Sequence, residues 1–135
     1  GADGERTIAA DEFFVDLFLT SLAPDEIITE IRVPTVDKSA YVKFPHPASR
    51  FALVGCAAAA SGGSVKIAFT GVANAAFRDE GIEGALGGDL SSDSIGAAAE
   101  KAADGAEVLT DNFAGEEYRR HLAKVYARKA LSAIA

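Results

Sequence analysis

From Phe51 to Ala60 the chain carries no charged side chain, and its only polar one is the thiol of Cys56. Such a run reads as a strand that is buried on both faces or covered by helices. Ser61-Gly62-Gly63-Ser64 closes it with a hairpin turn, because glycine supplies the positive φ that tight hairpin connections need. Val65 to Val72 then answers as the partner strand. Strand alternation places Val65, Ile67 and Phe69 on one face and Lys66, Ala68 and Thr70 on the other. Any fold open to this chain must therefore cover one face of a central hairpin.

On the N-terminal side, Ala40 to Phe44 reads as another strand, giving about three in the sheet. Pro45-His46-Pro47 follows as a loop or edge, since two of its three residues lack an amide hydrogen. Further upstream, Glu5 to Ala9 is a short strand candidate. Asp11 to Phe18 is a helical turn or an irregular packed segment rich in large apolar residues. Leu22 to Glu26 is a turn built on Pro24 and Asp25. Ile27 to Val33 is β-branched and partly alternating, hence a strand. Pro34 ends it, and the polar connector from Thr35 to Ser39 marks a boundary between residues 1–34 and 35–135.

Beyond Asn74 alanine dominates. Ala76 to Leu86 reads as a glycine-broken helix. Ser91 to Ser94 is a start signal for a helix over Ile95 to Ala103, which Asp104-Gly105 stops. A last helix runs from Gly115 to about Ala133, with acids in its first turn and Arg119, Arg120, Lys124, Arg128 and Lys129 later, as the helix dipole favours. Tyr118, Leu122, Val125 and Lys129 trace its stripe, with Leu122 and Val125 as inward anchors. The class is α+β: a small antiparallel sheet followed by a three-helix layer.

Composition narrows the function. A chain of 135 residues with net charge −7 argues against binding a phosphate backbone or an anionic membrane surface. One cysteine, Cys56, rules out an internal disulfide and reads as a buried small hydrophobe. No apolar run is long enough for a bilayer, no signal peptide is visible, and a cytoplasmic location is the simplest reading. The chain has no methionine, which fits an internal fragment or a processed start.

The usual chemistries are not written here. His46 and His121 lack metal-ligand spacing, and His121 reads as part of a solvated basic face. Gly81, Gly84 and Gly87 do not match the dinucleotide fingerprint, and Asp79, Glu80 and Glu83 beside them would repel phosphate. Those acids read as surface residues. Tyr41, Lys43 and His46 remain. A tyrosine can stack on a flat heteroaromatic ring, and a lysine or protonated histidine can stabilise negative charge developing on it. The plain alternative is a half-buried strand aromatic, a surface charge and a loop residue.

The ordered set of segments resembles the flavoprotein (medium) subunit of carbon monoxide dehydrogenase and related molybdenum hydroxylases of the xanthine dehydrogenase type. Gly4-Glu5-Arg6-Thr7-Ile8, Asp11-Glu12-Phe13-Phe14 and Pro24-Asp25-Glu26-Ile27-Ile28 with Val33-Pro34 look like the close of a flavin-binding domain. Tyr41-x-Lys43, Ser49-Arg50-Phe51-Ala52, Phe69-Thr70-Gly71-Val72-Ala73 and Tyr118-Arg119-Arg120-His121-Leu122-Ala123 look like the C-terminal domain that follows it. The resemblance implies an FAD-carrying oxidoreductase subunit that transfers electrons beside an iron–sulfur small subunit and a molybdopterin large subunit. It implies that Tyr41, with Lys43 and His46 nearby, faces the flavin ring, while the glycine loops that grip FAD lie in an N-terminal domain missing from this chain. FAD is then expected in the intact subunit, and neither FAD nor catalysis in this piece alone. The chain departs from many relatives at Pro45-His46-Pro47, where they are more basic, and at Arg50. The competing reading is an independent acidic α+β binding or assembly module that docks through Phe13, Phe14 and Phe18.

Overall fold

The computed structural model describes residues 1–135. The main sheet has four antiparallel strands in the order β3 (Lys38–Pro45), β4 (Ala52–Ser61), β5 (Ser64–Thr70) and β6 (Phe77–Arg78). Ahead of it lie a single helical turn, α1 (Ala10–Phe13), and a two-stranded ribbon of β1 (Phe14–Asp16) and β2 (Leu19–Thr20). After it come α2 (Glu80–Leu86), α3 (Ser92–Ala99) and α4 (Glu116–Ile134). The class is the expected α+β layer with three helices over a small sheet, enlarged by β6.

The β4–β5 hairpin turns at Gly62 and Gly63, both left-handed at φ 56° and 78°. Val65, Ile67 and Phe69 point into the core, and Lys66 and Thr70 point out, as the alternation required. From β4, Val54, Cys56 and Ala58 join them. Helix α4 lies across β3 and β4 and presents Ala123, Ala127 and Ala130 with Leu131 and Ile134, all buried. Alanine on both the helix and the strand lets the two backbones approach closely, which accounts for Ala58 and Ala60 on the covered face of β4. Each fully buried Ile, Leu or Phe here contributes about 1.5–3 kcal/mol of apolar transfer.

The helix starts follow their capping residues. Ser91 Oγ accepts the Ser94 amide at 3.4 Å, and Asp79 Oδ1 accepts the Ile82 amide at 3.1 Å. Gly87, left-handed at φ 53°, closes α2. Helix α3 ends at Ala99, earlier than Asp104-Gly105: the amides of Lys101 and Ala102 bond three residues back, to Ala98 and Ala99, and Ala103 then takes a left-handed φ of 62°. That turn is clamped: the Ala103 amide donates to Asp79 Oδ2 at 2.8 Å, and Arg120 donates to the carbonyls of Ala103 and Ala106.

The two borders of the sheet differ. Outside the short β6, the outer side of β5 is closed by Glu83, whose Oε1 accepts the Ile67 amide at 3.1 Å, while the Asp79 amide donates to the Ile67 carbonyl at 2.9 Å. The outer side of β3 has no strand beside it. Asp79 and Glu83 are thus structural, not the surface acids expected, while Glu80 is exposed as expected: Asp79 is 8% exposed, and Glu83 is paired with Arg78 at 2.6 Å.

Residues before β3 behave differently. Neither Glu5 to Ala9 nor Ile27 to Val33 forms a strand. A strand needs a neighbour to take up its amides and carbonyls, and no neighbour lies beside either segment. Ile27, Ile31 and Val33 are 78%, 76% and 80% exposed, and Phe18 is fully exposed. Arg6 ties the segment to itself by donating to Glu26 and to the Ser21 carbonyl. The hydrogen-bonded link from residues 1–34 to the body is the 3.3 Å pair of Asp11 with Arg78.

Candidate functional site

Helices cover one face of the main sheet and leave the other open. Register and alternation put Tyr41 and Lys43 of β3, Gly55, Ala57 and Ala59 of β4, and Lys66, Ala68 and Thr70 of β5 on that open face. Its floor is nearly free of side chains beyond Cβ. Tyr41, 56% exposed, lies across β4, and a Cβ at Gly55 would sit 2.6 Å from its Oη and 2.7 Å from Thr70 Cγ2. Only glycine at position 55 lets the tyrosine rest there. Lys43 opposes Gly55 and donates from Nζ to the Arg50 carbonyl at 3.0 Å. An ammonium has three donors, so two remain for a ligand.

The structure joins Tyr41 and Lys43 on one face and leaves His46 out of it. A bulge between Phe44 and Pro45 breaks the β3–β4 register, and the chain turns into the loop from His46 to Phe51. The His46 amide donates to the Phe51 carbonyl at 2.7 Å, and the Arg50 amide to the His46 carbonyl at 2.9 Å. His46 Nδ1 accepts the amides of Ala48 and Ser49 at 3.2 and 3.1 Å. Its ring meets Phe113, in the loop before α4, edge to face at 4.2 Å. The ring hydrogen therefore sits on Nε2, which is buried without a partner. Phe51, read as the start of the buried strand, is instead 78% exposed at the end of this loop.

Arg119 is the largest departure from the sequence reading. Its place among the basic residues suited to the dipole of the last helix predicts a solvated side chain, yet it is 2% exposed and faces the sheet. Its Nη1 donates to the carbonyls of Leu53 and Gly71, each at 2.6 Å, and its Nη2 to Asp111 Oδ2 at 2.6 Å. The bulge opposite Phe44 takes Leu53 out of the ladder, and Gly71, at φ 76°, follows the end of β5. Both carbonyls need a donor, and a planar guanidinium satisfies two at once. No side chain fits at Gly71, where a Cβ would lie 2.6 Å from the Leu53 carbonyl oxygen. Burial pushes the Asp111 carboxyl up, but the amides of Phe113 and Ala114 and the charge of Arg119 outweigh it and hold it below its usual range. The inward side of α4 therefore runs through Arg119, Leu122, Tyr126 and Leu131; Val125 is only partly buried, and Tyr118 and Lys129 are exposed. Only the bulge that frees the Leu53 carbonyl and the end of β5 that frees the Gly71 carbonyl could have revealed Arg119, and neither is visible in residue spacing.

Other chemistry is sparse. Burial pushes the Cys56 thiol up to about 12, with the charge of Asp79 adding to it, so the thiol is inert at neutral pH. His121 is exposed on α4. No three His, Cys, Asp or Glu side chains converge as metal ligands, and no helix is long and apolar enough to cross a membrane. A cleft of about 930 Å³ lies between the β1 ribbon and the turns around Asp79 and Ala103, with Arg78, Lys101 and five acids among its lining.

Comparison with known proteins gives a family, two relatives and two similar structures. Residues 39–134 match the family described as CO dehydrogenase flavoprotein C-terminal domain. The chain is 34% identical over 142 residues to the carbon monoxide dehydrogenase medium chain of Hydrogenophaga pseudoflava, covering 98% of this chain and 50% of that one. It is 32% identical over 135 residues to the nicotine 6-hydroxylase medium subunit of Paenarthrobacter nicotinovorans, covering 95% and 48%. In structure it is similar to the Hydrogenophaga pseudoflava carbon monoxide dehydrogenase that lacks the Mo-pyranopterin moiety, with a TM-score of 0.87 over 99% of this chain and 50% of that one. The reconstituted CO dehydrogenase from Oligotropha carboxidovorans gives 0.87 at 28% identity, with the same coverage. The chain spans about half the length of the curated relatives it matches.

Proposed function

The chain belongs to the CO dehydrogenase flavoprotein C-terminal domain family, and from that premise we propose that it is the C-terminal half of the FAD-carrying medium subunit of a molybdenum hydroxylase, lying over the flavin and docking to the other subunits. Residues 35–135 are the C-terminal domain and residues 1–34 the trailing segment of the FAD-binding domain. The observation that carries this reading is the contrast between the two parts. The body has its own buried core, whereas the leading segment exposes Phe18, Ile27, Ile31 and Val33 and holds the body through Asp11–Arg78. Such apolar exposure marks surface meant to be covered. In this reading its cover is the N-terminal FAD-binding domain, and the further partners are a molybdopterin large subunit and an iron–sulfur small subunit.

FAD, when bound, supplies acceptance and release of electrons at a planar ring system. The residues here fit the ring end of that group. Tyr41, resting on Gly55, offers an exposed aromatic face, Lys43 a cation with free donors, and exposed Ala57 a floor a flat group can approach. They do not fit the pyrophosphate end. The nearest helix start is that of α4, which reaches the loop through Phe44–Tyr118 and His46–Phe113, and it carries Glu116 and Glu117 in its first turn. Tight FAD binding and catalysis therefore require more than this chain.

Flavin fluorescence tests the reading. The 135-residue chain should leave added FAD bright. A subunit that also carries the upstream half should quench it, and Tyr41→Ala there should restore part of the emission. Tight stoichiometric binding of FAD by the chain alone would refute the proposal. A defined oligomer of the chain in light scattering, without any effect of the upstream half, would favour an independent assembly module instead.

A further inference from the structure

Lys43 can serve a ring only if its ammonium is held, and what holds it is one carbonyl at the end of an irregular loop. Arg50 presents that carbonyl from a left-handed φ of 62°. A non-glycine residue stays there only when its surroundings over-determine it. The surroundings are built on one imidazole. His46 Nδ1 takes the amides of Ala48 and Ser49, and its backbone pairs with Arg50 and Phe51, so every residue of the turn but Pro47 bonds to it. The ring is seated from the helix layer by Phe113. The Phe113 amide is in turn fixed at 2.8 Å on Asp111, the partner of buried Arg119.

We propose that His46 is a positioning residue: it uses its imidazole as a backbone-amide acceptor to set the β3–β4 loop, and through the Arg50 carbonyl it fixes where Lys43 stands. The proposal rests on the reading that the Tyr41–Lys43 face is turned to the flavin, but it assigns His46 a part that never touches the ring. Its geometry is that of an Asx turn, in which a side-chain acceptor takes amides two and three residues on. This predicts which residue can replace it. Asparagine offers Oδ1 in a similar place, whereas phenylalanine keeps an aromatic ring against Phe113 and offers no acceptor.

Amide hydrogen exchange and side-chain NMR on the isotopically labelled chain test this without any flavin. In His46→Phe the amides of Ala48 and Ser49 should exchange roughly tenfold faster, the worth of one net hydrogen bond, and the Lys43 side-chain resonances should move to free-lysine positions. In His46→Asn both amides should stay within about twofold of the parent chain and Lys43 should stay put. Unchanged Ala48, Ser49 and Lys43 signals in His46→Phe would overturn the proposal. So would an asparagine variant as loose as the phenylalanine one, since a general packing role gives no such rescue. The flavin reading fails separately: a well-held Lys43 with no effect of Tyr41→Ala on flavin emission in the longer subunit would sink that reading and leave His46 in its role.

Discussion

Replacing Arg119 by methionine isolates the polar part of the α4–sheet contact, because methionine keeps the apolar stem and removes the guanidinium. Two carbonyls, Leu53 and Gly71, lose their donor, and the Arg119–Asp111 pair is broken. Each orphaned buried acceptor costs about 1–3 kcal/mol, and removal of one partner of a buried charge pair about 3–5. These overlap, and Asp111 is itself about a third exposed at 36% of its side chain, so about 3–5 kcal/mol is the expected total. At roughly 3–6 °C per kcal/mol for a chain of this size, that lowers Tm by about 10–25 °C. Urea and thermal unfolding followed by circular dichroism measure it. Lysine, which offers a point charge in place of a fork, should recover only part. The pH dependence has a definite sign. Asp111 is held below its ordinary value, so its contribution is complete above the normal carboxylate range and is lost as pH falls through the depressed value. With Arg119 gone that depression shrinks, so the penalty of Arg119→Met should be larger at pH 7 than in acid. A loss below about 1 kcal/mol at neutral pH would mean that water completes both carbonyls and that the argument from desolvation is wrong.

Three further outcomes follow from the same structure. Asp79→Ala removes the α2 cap and the acceptor for the Ala103 amide, so it should cost about 2–3 kcal/mol in urea unfolding; the asparagine variant should cost less, since one acceptor survives. Cys56, with its thiol raised to about 12, should resist a thiol reagent at pH 8 in the native chain and react at once in denaturant; rapid native labelling would contradict its burial. The hydrogen bond from Arg6, helped by the Ala23 amide, lowers the Glu26 carboxyl to about 2, so its contribution to order in the leading segment is present above the usual carboxylate range and fades as pH falls through about 2. Carboxyl NMR titration should show this low midpoint, and Arg6→Ala should move it upward.

The central hairpin was legible because its information is local. A glycine pair fixes the turn, and Val65, Ile67 and Phe69 alternate against polar neighbours. The start of α3 at Ser91 was legible for the same reason. Ile27 to Val33 misled because β-propensity reports a side chain's fitness for a sheet, and no neighbouring strand is present to use it. β6 was missed because two residues carry no period, and because Phe77 and Arg78 owe their place to the edge of β5. At the site, Tyr41 and Lys43 could be placed on one face by their spacing, but His46 could not: the bulge after Phe44 resets the alternation just before it. Arg119 sits among charged neighbours, so its sequence context reads as solvent, and its real partners are 66 and 48 residues away.

A sheet with one sealed border and one bare border can be lengthened in only one direction. Glu83 and Asp79 take the amide and carbonyl of Ile67 on the β5 side, and β6 lies beside Ala68 and Phe69, so an incoming strand is blocked there. Along Lys38 to Pro45 the row is free. Whatever extended chain is ever added to this domain, whether a neighbour in an assembly or a misfolded copy of itself, has a single berth, and that berth runs alongside Tyr41.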